Sequence, residues 1–415
     1  MIELAARARE AFGWTDDIVV SAGQRGARGQ IWRLEVGHAR YALKQIFAGP
    51  PSEALIEAEL AFSRQAAEAG VRLPASHPDR AGRHLIDGPG GTWLRLYDWV
   101  DLRPVDLAAP STPHELGTLL ARLHRCAPSA AGEPVHPWYD HVPAAQKWEA
   151  ARASGAEWAE PLGERLASFP ELCAAVAPAD PAGLILCHRD LHPENVLADE
   201  SGALVVVDWD NLGPAAPGRE LAQALIDWFG DGAADLDAMR RMYEAYVRAG
   251  GPGRVTEPAD FSMLVATRLN FLLLQTRQTT EWAGREIDQA LRIMPTPGQL
   301  ADVLDLLTRP QHRHRAGEPR EPRAAVAEKM FCTLGGEHIG EESDRREHDR
   351  QNHRPDQAEP QQGKREGMRP RYRHHEEEST GVGIQFLPGH ENQEAGDEAR
   401  HHGQDRNSGH TPEAG

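Results

Sequence analysis

The sequence predicts an α+β fold of two lobes, a small β-rich N-lobe over residues 1–100 and a larger α-helical C-lobe over residues 101–310, followed by a disordered tail over residues 311–415. Short strand-like segments between Gly-rich turns dominate the N-lobe, whereas apolar residues recur with a helical period in the C-lobe. The tail has none of the ten tryptophans but eleven of the twenty histidines. So polar a segment buries too little surface to offset the entropy cost of ordering it.

Alternating apolar residues between Gly-rich turns predict the N-lobe strands at residues 18–20, 31–36, 41–46, 84–86 and 92–97. One helix interrupts them. Ser52 is a candidate cap for its first turn, and Gly70 is where it should stop. The last two strands are separated by Gly88-Pro89-Gly90-Gly91, which is typical of a hairpin.

The C-lobe begins with a helix over residues 113–124, in which leucines recur three and four positions apart. Further helices are predicted at residues 220–229, 236–249, 260–279, 285–293 and 298–307. Between these two groups, residues 184–210 form short strands around a polar loop. A β-rich lobe followed by a helical lobe is suited to holding a nucleotide in the cleft between them.

The charge and the termini of the chain limit its partners and its location. The formal net charge is −18 at pH 7, so we expect no nucleic-acid partner, because phosphates repel an acidic surface. The start of the chain lacks a basic region before an apolar run, which predicts no signal peptide. The longest apolar stretch, residues 261–274, is interrupted by Arg268 and Asn270, so we expect no membrane span and a cytoplasmic location.

The cysteines give no sign of a metal or disulfide framework. They are scattered without a CxxC pair, at Cys126, Cys173, Cys187 and Cys332. The sequence does not specify an oligomeric state.

The residues best suited to chemistry lie in the polar loop, where Cys187-His188-Arg189-Asp190-Leu191-His192-Pro193-Glu194-Asn195 is followed by Asp208. Phosphoryl transfer from ATP needs an acid that orients the nucleophile and oxygen ligands for magnesium. The order His-Arg-Asp, four residues, Asn matches the catalytic loop of kinases. We therefore predict Asp190 as the catalytic acid/base, and Asn195 and Asp208 as ligands of Mg²⁺, which prefers hard oxygen donors.

These residues resemble the aminoglycoside phosphotransferase family, relatives of protein kinases that phosphorylate small molecules. The match is carried by residues 188–197, by Asp208-Trp209-Asp210, and by residues 116–124 in the preceding helix. The resemblance covers residues 1–310 and implies a protein-kinase-like fold. It also implies transfer of the γ-phosphate of ATP, with Mg²⁺, to a hydroxyl of a small molecule such as an aminoglycoside or another antibiotic.

Lys44 is the candidate ligand of the nucleotide phosphates. It is the only lysine before residue 147, and its strand follows the Gly-rich turn. We predict that it binds the α- and β-phosphates as a point charge. The glycines of the turn, Gly23, Gly26 and Gly29, are predicted to cover the phosphates with backbone N–H groups.

The resemblance also implies a carboxylate that holds Lys44 from the following helix. Glu59 is the preferred candidate and Glu57 the alternative. Tyr97 and Trp99 lie at the end of the last strand of the N-lobe, so we place them at the hinge. There the backbone would face the edge of the adenine, and apolar side chains would lie on both sides of the ring.

Several features concern the acceptor. Residues 211–219 leave no room for the long activation segment of a protein kinase, which favours a small-molecule acceptor. Four acidic residues lie close together near a predicted helix start, at Asp227, Asp231, Asp235 and Asp237. They could attract a cationic acceptor, or they could reflect the general preference for acidic residues in the first turn of a helix. Glu220 stands where the resemblance implies Asp. The open alternatives are a metabolic kinase for a choline-, homoserine- or sugar-like acceptor, and a nucleotide-binding regulator without turnover.

Overall fold

A β-rich lobe precedes a mostly helical lobe in the structure, a computed structural model that describes residues 1–25, 29–47, 49–278 and 283–309. The predicted α+β organisation, a β-rich lobe followed by a helical lobe, is therefore confirmed. The tail predicted at residues 311–415 lies outside the described residues.

The N-terminal sheet is antiparallel throughout. Its strands are β1 (Ile18–Arg25), β2 (Gly29–Val36), β3 (Ala39–Ile46), β4 (Ser76–His77), β5 (Ile86–Asp87) and β6 (Trp93–Asp98). They run in the order β1-β2-β3-β6-β4, and β5 also pairs with β6. Lys44 on β3 lies directly opposite Arg95 on β6. Directly opposed residues project from the same face of a sheet, so the two cationic side chains are neighbours.

The two faces of this sheet have different partners. Helix α1 (Ile2–Phe12), which the sequence analysis missed, buries Leu4 and Ala8 in a core that also contains Leu43. Side chains alternate along a strand, so Lys44, next to Leu43, lies on the opposite face. Helix α2 (Glu53–Glu68) contributes Glu59 to that face, and its first turn is capped by the Ser52 side chain, which accepts the N–H of Leu55 at 3.2 Å.

The second lobe is built from nine helices among the described residues: α3 (Thr112–Cys126), α4 (Ala145–Arg152), α5 (Ala159–Leu166), α6 (Phe169–Ala174), α7 (Pro217–Phe229), α8 (Leu236–Arg248), α9 (Ser262–Gln275), α10 (Ala283–Ile293) and α11 (Pro297–Thr308). Two short antiparallel pairs interrupt them. In the first, β7 (Ile185–Cys187) pairs with β10 (Gly213–Ala215), and in the second β8 (Val196–Ala198) pairs with β9 (Leu204–Val206). Within the part of the chain that the structure describes, no helix is both long and apolar enough for a membrane crossing.

Close packing of α3 on α8 forms the centre of this lobe. The predicted leucine stripe of α3 is buried, with Leu116 and Leu120 each 2% exposed. Gly117 lies on the same helix, and a Cβ at this position would overlap the carbonyl oxygen of Met242 on α8. Glycine therefore allows the two backbones to approach each other at this crossing.

The acidic group of residues 227–237 has several structural roles. Asp235 caps α8 by accepting the N–H of Ala238 at 2.9 Å, as the helix-start interpretation predicts. Asp237 pairs with Arg240 one turn later on the same helix. These two residues therefore serve the start of α8.

Candidate active site

Two loops joined by one hairpin form the centre of the candidate site. Residues 188–195 connect β7 to β8, and residues 207–212 connect β9 to β10. The N–H of Val207 donates to the Asn195 carbonyl at 2.9 Å, which holds the two loops together beyond the hairpin. Arg189 and Asp208, one in each loop, are the non-glycine residues with positive φ within the described ranges, at 65° and 57°. Such a conformation costs roughly 1–3 kcal/mol, so neighbouring contacts must hold it.

Arg189 supplies many of those contacts. Its guanidinium donates to the carbonyls of Asn211 at 2.6 Å and Leu212 at 3.0 Å, and it lies 3.8 Å from the centre of the Tyr139 ring. Its backbone N–H donates to the Glu220 carboxylate on α7. Arg189 thus ties the first loop to the second loop and to the helical lobe.

The catalytic candidate Asp190 is buried, with 1% of its surface exposed. Its Oδ2 accepts hydrogen bonds from the amides of Asn195 and Asn211, each at 2.9 Å. Its Oδ1 lies 3.4 Å from His192 Nε2 and accepts no hydrogen bond from the described residues. One carboxylate oxygen is therefore oriented by two amides, and the other is buried and faces His192.

Asn195 is oriented by the same contacts. Its Nδ2 donates to the Asp190 carbonyl at 3.0 Å as well as to the Asp190 carboxylate. Because the nitrogen makes these bonds, the amide oxygen remains as the group that could bind a cation. The role of Asn195 as a ligand of Mg²⁺ remains a prediction, which a hard oxygen donor would suit.

Lys44 contacts two carboxylates of the second loop. Its Nζ lies 2.7 Å from Asp208 Oδ1 and 2.7 Å from Asp210 Oδ2. Burial alone would lower the pKa of Lys44, but these two carboxylates raise it well above its usual value. Burial would conversely raise the pKa of Asp208, and the Lys44 ammonium holds it below its usual value. Lys44 is therefore a firmly charged ammonium beside the predicted metal ligand.

The predicted ion pair between Lys44 and Glu59 is wrong. Glu59 instead accepts two hydrogen bonds from Arg95, from Nη1 to Oε2 at 2.7 Å and from Nη2 to Oε1 at 2.9 Å. Arg95 prevails because it projects from the same sheet face and its planar fork matches both carboxylate oxygens. The alternative partner, Glu57, is exposed on α2. The role of Glu59 in nucleotide binding remains a prediction.

A cavity of about 310 Å³ opens between the sheet and the two loops. Six of the predicted site residues line it, namely Gly29, Lys44, Tyr97, Trp99, Asn195 and Asp208. The cavity also has an apolar part, formed by Ile31, Ala42, Val100, Leu102, Leu197 and Val207. It therefore offers an apolar region for a flat ring and charged groups for phosphates.

The glycines of the predicted phosphate loop divide into three cases. Gly29 lines the cavity at the start of β2, where a Cβ would overlap the carbonyl oxygen of Gln45. Gly23 lies within β1, outside the cavity lining, and its carbonyl accepts from the Gln30 amide at 2.7 Å. Gly26 lies outside the described residues.

The two hinge aromatics are held by charged neighbours. Trp99 donates from Nε1 to Asp101 at 2.8 Å, and the Arg33 guanidinium lies 5.4 Å from its ring centre. Tyr97 lies beneath Arg95, at 5.2 Å, and burial raises the pKa of its hydroxyl well above the usual value. Both rings are thus fixed at the edge of the cavity.

Glu220 anchors the first loop from α7. One of its oxygens accepts the N–H of Arg189, and the other lies 2.7 Å from His124 Nε2. The other nitrogen of His124 lies 2.7 Å from the Tyr246 hydroxyl. Burial would raise the pKa of Glu220, but the hydrogen bond from His124 and the other contacts lower it overall. The longer side chain that distinguishes Glu220 from the expected Asp therefore spans two partners.

Cys187 lies next to this pair. The ligand atoms of His124, Cys187 and Glu220 all lie within 4.8 Å of one another, a spacing that also occurs in metal sites. Here the hydrogen bonds already use the His124 nitrogens and both Glu220 oxygens. We therefore interpret the group as a hydrogen-bonded anchor of the loop.

Carboxylates surround His192 beside Asp190, and one of them, Glu194, also lines the cavity. Burial opposes a charge on His192, but the carboxylates of Asp190, Asp227 and Glu194 raise its pKa to about 9. The N–H of Glu194 lies 3.3 Å from His192 Nδ1 and the Asn195 amide nitrogen lies 3.2 Å from His192 Nε2. Both contacts favour neutral imidazole, but the three carboxylates outweigh them. Burial raises the pKa of Glu194 and of Glu286. These carboxylates would accommodate a positively charged group.

Two residues of the site were missed by the sequence analysis. Arg95 interrupts the apolar residues of β6, and a basic residue on a strand opposite Lys44 was the signal that could have identified it. Asn211 directly follows Asp208-Trp209-Asp210, and an amide so close to a metal-ligand candidate was the corresponding signal. Neither signal specifies a partner by itself.

Comparison with known proteins decides the family. Residues 20–257, more than half of the chain, match the phosphotransferase enzyme family, APH. The chain belongs to this family. It is therefore a phosphotransferase, and the resemblance that its sequence motifs indicate is confirmed. No curated protein matches the chain.

Solved structures of small-molecule kinases share the fold of this phosphotransferase. A microcompartment-associated aminopropanol kinase is 18% identical, with 74% of this chain and 100% of that chain covered and a TM-score of 0.55. Spectinomycin phosphotransferase APH(9)-Ia, solved with ADP and spectinomycin, is 14% identical, with 72% and 98% covered and a TM-score of 0.51. At these identities the likeness establishes the fold.

Proposed function

We propose that this phosphotransferase transfers the γ-phosphate of ATP, with Mg²⁺, to a hydroxyl group of a small molecule. The observation that supports the proposal is that Lys44, Asn195 and Asp208 line one cavity and that Asp190 is hydrogen-bonded to Asn195 beside it. Lys44 contacts Asp208 at 2.7 Å, and Asn195 contacts Asp190 at 2.9 Å. A cation for phosphates, two oxygen donors for a metal and one carboxylate for a hydroxyl are the parts that phosphoryl transfer needs.

Each group has a role in this reaction. The apolar part of the cavity holds the adenine, and Lys44 binds the phosphates. Asp190 orients the acceptor hydroxyl through Oδ1 and receives its proton late, because the transition state is loose. The donor set of Asn195 and Asp208 consists of hard oxygens and therefore fits Mg²⁺, which would neutralise phosphate charge.

The carboxylates beside Asp190 support an acceptor that carries an amine. Glu194 and Glu286 have pKa values raised by burial, and a cationic group beside them would stabilise their ionised forms. Amino alcohols and aminoglycoside-like antibiotics combine an amine with a hydroxyl. Aminopropanol and spectinomycin, named for the two structural relatives, are the first acceptors to test.

The test is acceptor-dependent ATP consumption by the purified chain over a panel of amino alcohols, antibiotics and neutral alcohols. We expect turnover with at least one amine-bearing acceptor, and a loss of about 10²–10⁴-fold in kcat for Asp190→Asn. The matched control is Asp302→Asn, which changes an exposed carboxylate on α11. Binding of Mg-ATP without turnover on any acceptor would favour the regulatory alternative, and full activity of Asp190→Asn would contradict the assigned role.

A further inference from the structure

We propose that Lys44 occupies the cation-binding carboxylates of the second loop until nucleotide phosphates draw it away, so that the divalent cation and the nucleotide bind together. The inference rests on the proposed function, because it assigns the metal to Asp208 and the phosphates to Lys44. The inference adds that the metal binds only together with the nucleotide, which does not follow from the roles of Asp208 and Lys44 alone.

Lys44 bridges two carboxylates of the second loop. Its ammonium lies 2.7 Å from one oxygen of Asp208 and 2.7 Å from one oxygen of Asp210. All three side chains are largely buried, with 12%, 17% and 18% of their side-chain surfaces exposed. Little water is available to screen these charges, so a second cation on Asp208 would meet strong repulsion from the ammonium.

Among the described residues of the N-lobe, none forms an ion pair with Lys44. Glu59 is the nearby candidate, but both of its oxygens bind the Arg95 guanidinium, in a pair whose side chains are 4% and 0% exposed. Arg95 Nη1 also lies 4.0 Å from Asp210 Oδ1, which adds positive charge beside the loop. Because Arg95 satisfies Glu59, Lys44 gains nothing by leaving Asp208 for α2.

The charged groups around Lys44 do not balance. The carboxylates of Glu59, Asp208 and Asp210 outnumber the cations Lys44 and Arg95 by one, and Asp190 adds negative charge near Asp208. This excess of negative charge favours a divalent cation. A triphosphate changes this balance, because it offers Lys44 a new anionic partner and brings its own oxygens to the metal. Lys44 then moves from Asp208 to the phosphates, and the Asp208 carboxylate can bind the metal that enters with the nucleotide.

The experiment measures binding of Mn²⁺ alone to the full-length chain, by the electron paramagnetic resonance signal of free Mn²⁺. Lys44→Met removes the ammonium and should bind Mn²⁺ without nucleotide at least about tenfold more tightly than the unmodified chain. Lys147→Met, an exposed lysine on α4, is the matched control and should leave the affinity unchanged. Asp208→Asn combined with Lys44→Met should abolish the gain, which locates the Mn²⁺ at Asp208.

Circular dichroism first confirms that each variant is folded. Equal Mn²⁺ affinity in the unmodified chain and in folded Lys44→Met would overturn this inference alone, since ATP turnover could still proceed as proposed. A folded Lys44→Met variant that binds no Mn²⁺ would overturn both the inference and the assigned metal site.

Discussion

Arg95 and Glu59 form a buried ion pair with hydrogen bonds of 2.7 and 2.9 Å, at the place where the sequence predicts that Glu59 holds Lys44. The pair joins β6 to α2, and the Tyr97 ring lies against the same guanidinium. The lysine of the site consequently takes its partners from the second loop. The phosphate-binding candidate Lys44 is thus linked to the metal-ligand candidate Asp208 in the ligand-free structure.

Removal of Arg95 should destabilise the fold more than removal of the whole pair. Arg95→Met leaves the Glu59 carboxylate buried without its partner, and breaking a buried pair in this way costs about 3–5 kcal/mol. The double variant Arg95→Met/Glu59→Met removes both charges and should be less destabilised than Arg95→Met alone. Urea denaturation at neutral pH measures the free energies of unfolding. Equal losses in the single and double variants would show that the pair does not hold the two elements together.

Glu220 should make the stability of the chain depend on acid pH. Its pKa in the folded state lies below the ordinary value of 4.5, so the folded state favours the ionised form. The resulting stabilisation is present above pH 4.5 and is lost as the pH falls through the lower, folded-state pKa. Glu220→Gln lacks this titration. At pH 7 the unmodified chain should be more stable than the variant by roughly 1–3 kcal/mol, and the difference should shrink below pH 4.5.

The measurement is a series of urea titrations of both proteins between neutral pH and about pH 3. Other carboxylates titrate in both proteins and largely cancel in the difference. A difference that stays constant over the series would show that the Glu220 carboxylate gains nothing from His124 and the Arg189 N–H.

The sequence identifies the site better than it identifies the contacts within it. The loop residues 188–195 and Asp208 were found because their spacing follows from local connections, and α3 was found because its leucines repeat with a helical period. Helix α1 was not predicted, because much of its buried face consists of alanines, which give a weak apolar signal. The partner of Glu59 lies 36 positions away on another element, and only the packing of α2 against the sheet decides between Arg95 and Lys44.

Two helical glycines should respond in opposite directions to the same substitution. Gly117→Ala places a methyl group against the Met242 carbonyl of α8, and such overpacking costs about 1–3 kcal/mol. Gly163→Ala on α5 is the matched control, since its Cβ would meet the Arg152 side chain at an ordinary 3.9 Å. Alanine is the better helix former, so Gly163→Ala should stabilise by roughly 0.5–1 kcal/mol. Thermal unfolding of both variants measures the effects, and a neutral Gly117→Ala would contradict the close approach of α3 and α8.

Asn211 should affect the rate of phosphoryl transfer and leave nucleotide affinity unchanged. Its amide donates to Asp190 Oδ2 at 2.9 Å, and its own oxygen lies 3.3 Å from the Tyr139 hydroxyl. Asn211→Asp replaces the donor with a carboxylate that repels Asp190, so the proposed catalytic carboxylate loses an orienting hydrogen bond. On the acceptor that supports turnover, we expect kcat to fall about 10–100-fold with little change in KM for ATP. Tyr139→Phe, which keeps the ring and the Asn211 amide, is the control and should have a much smaller effect. A rise in KM for ATP without loss of kcat would place Asn211 in nucleotide binding and contradict its assigned role beside Asp190.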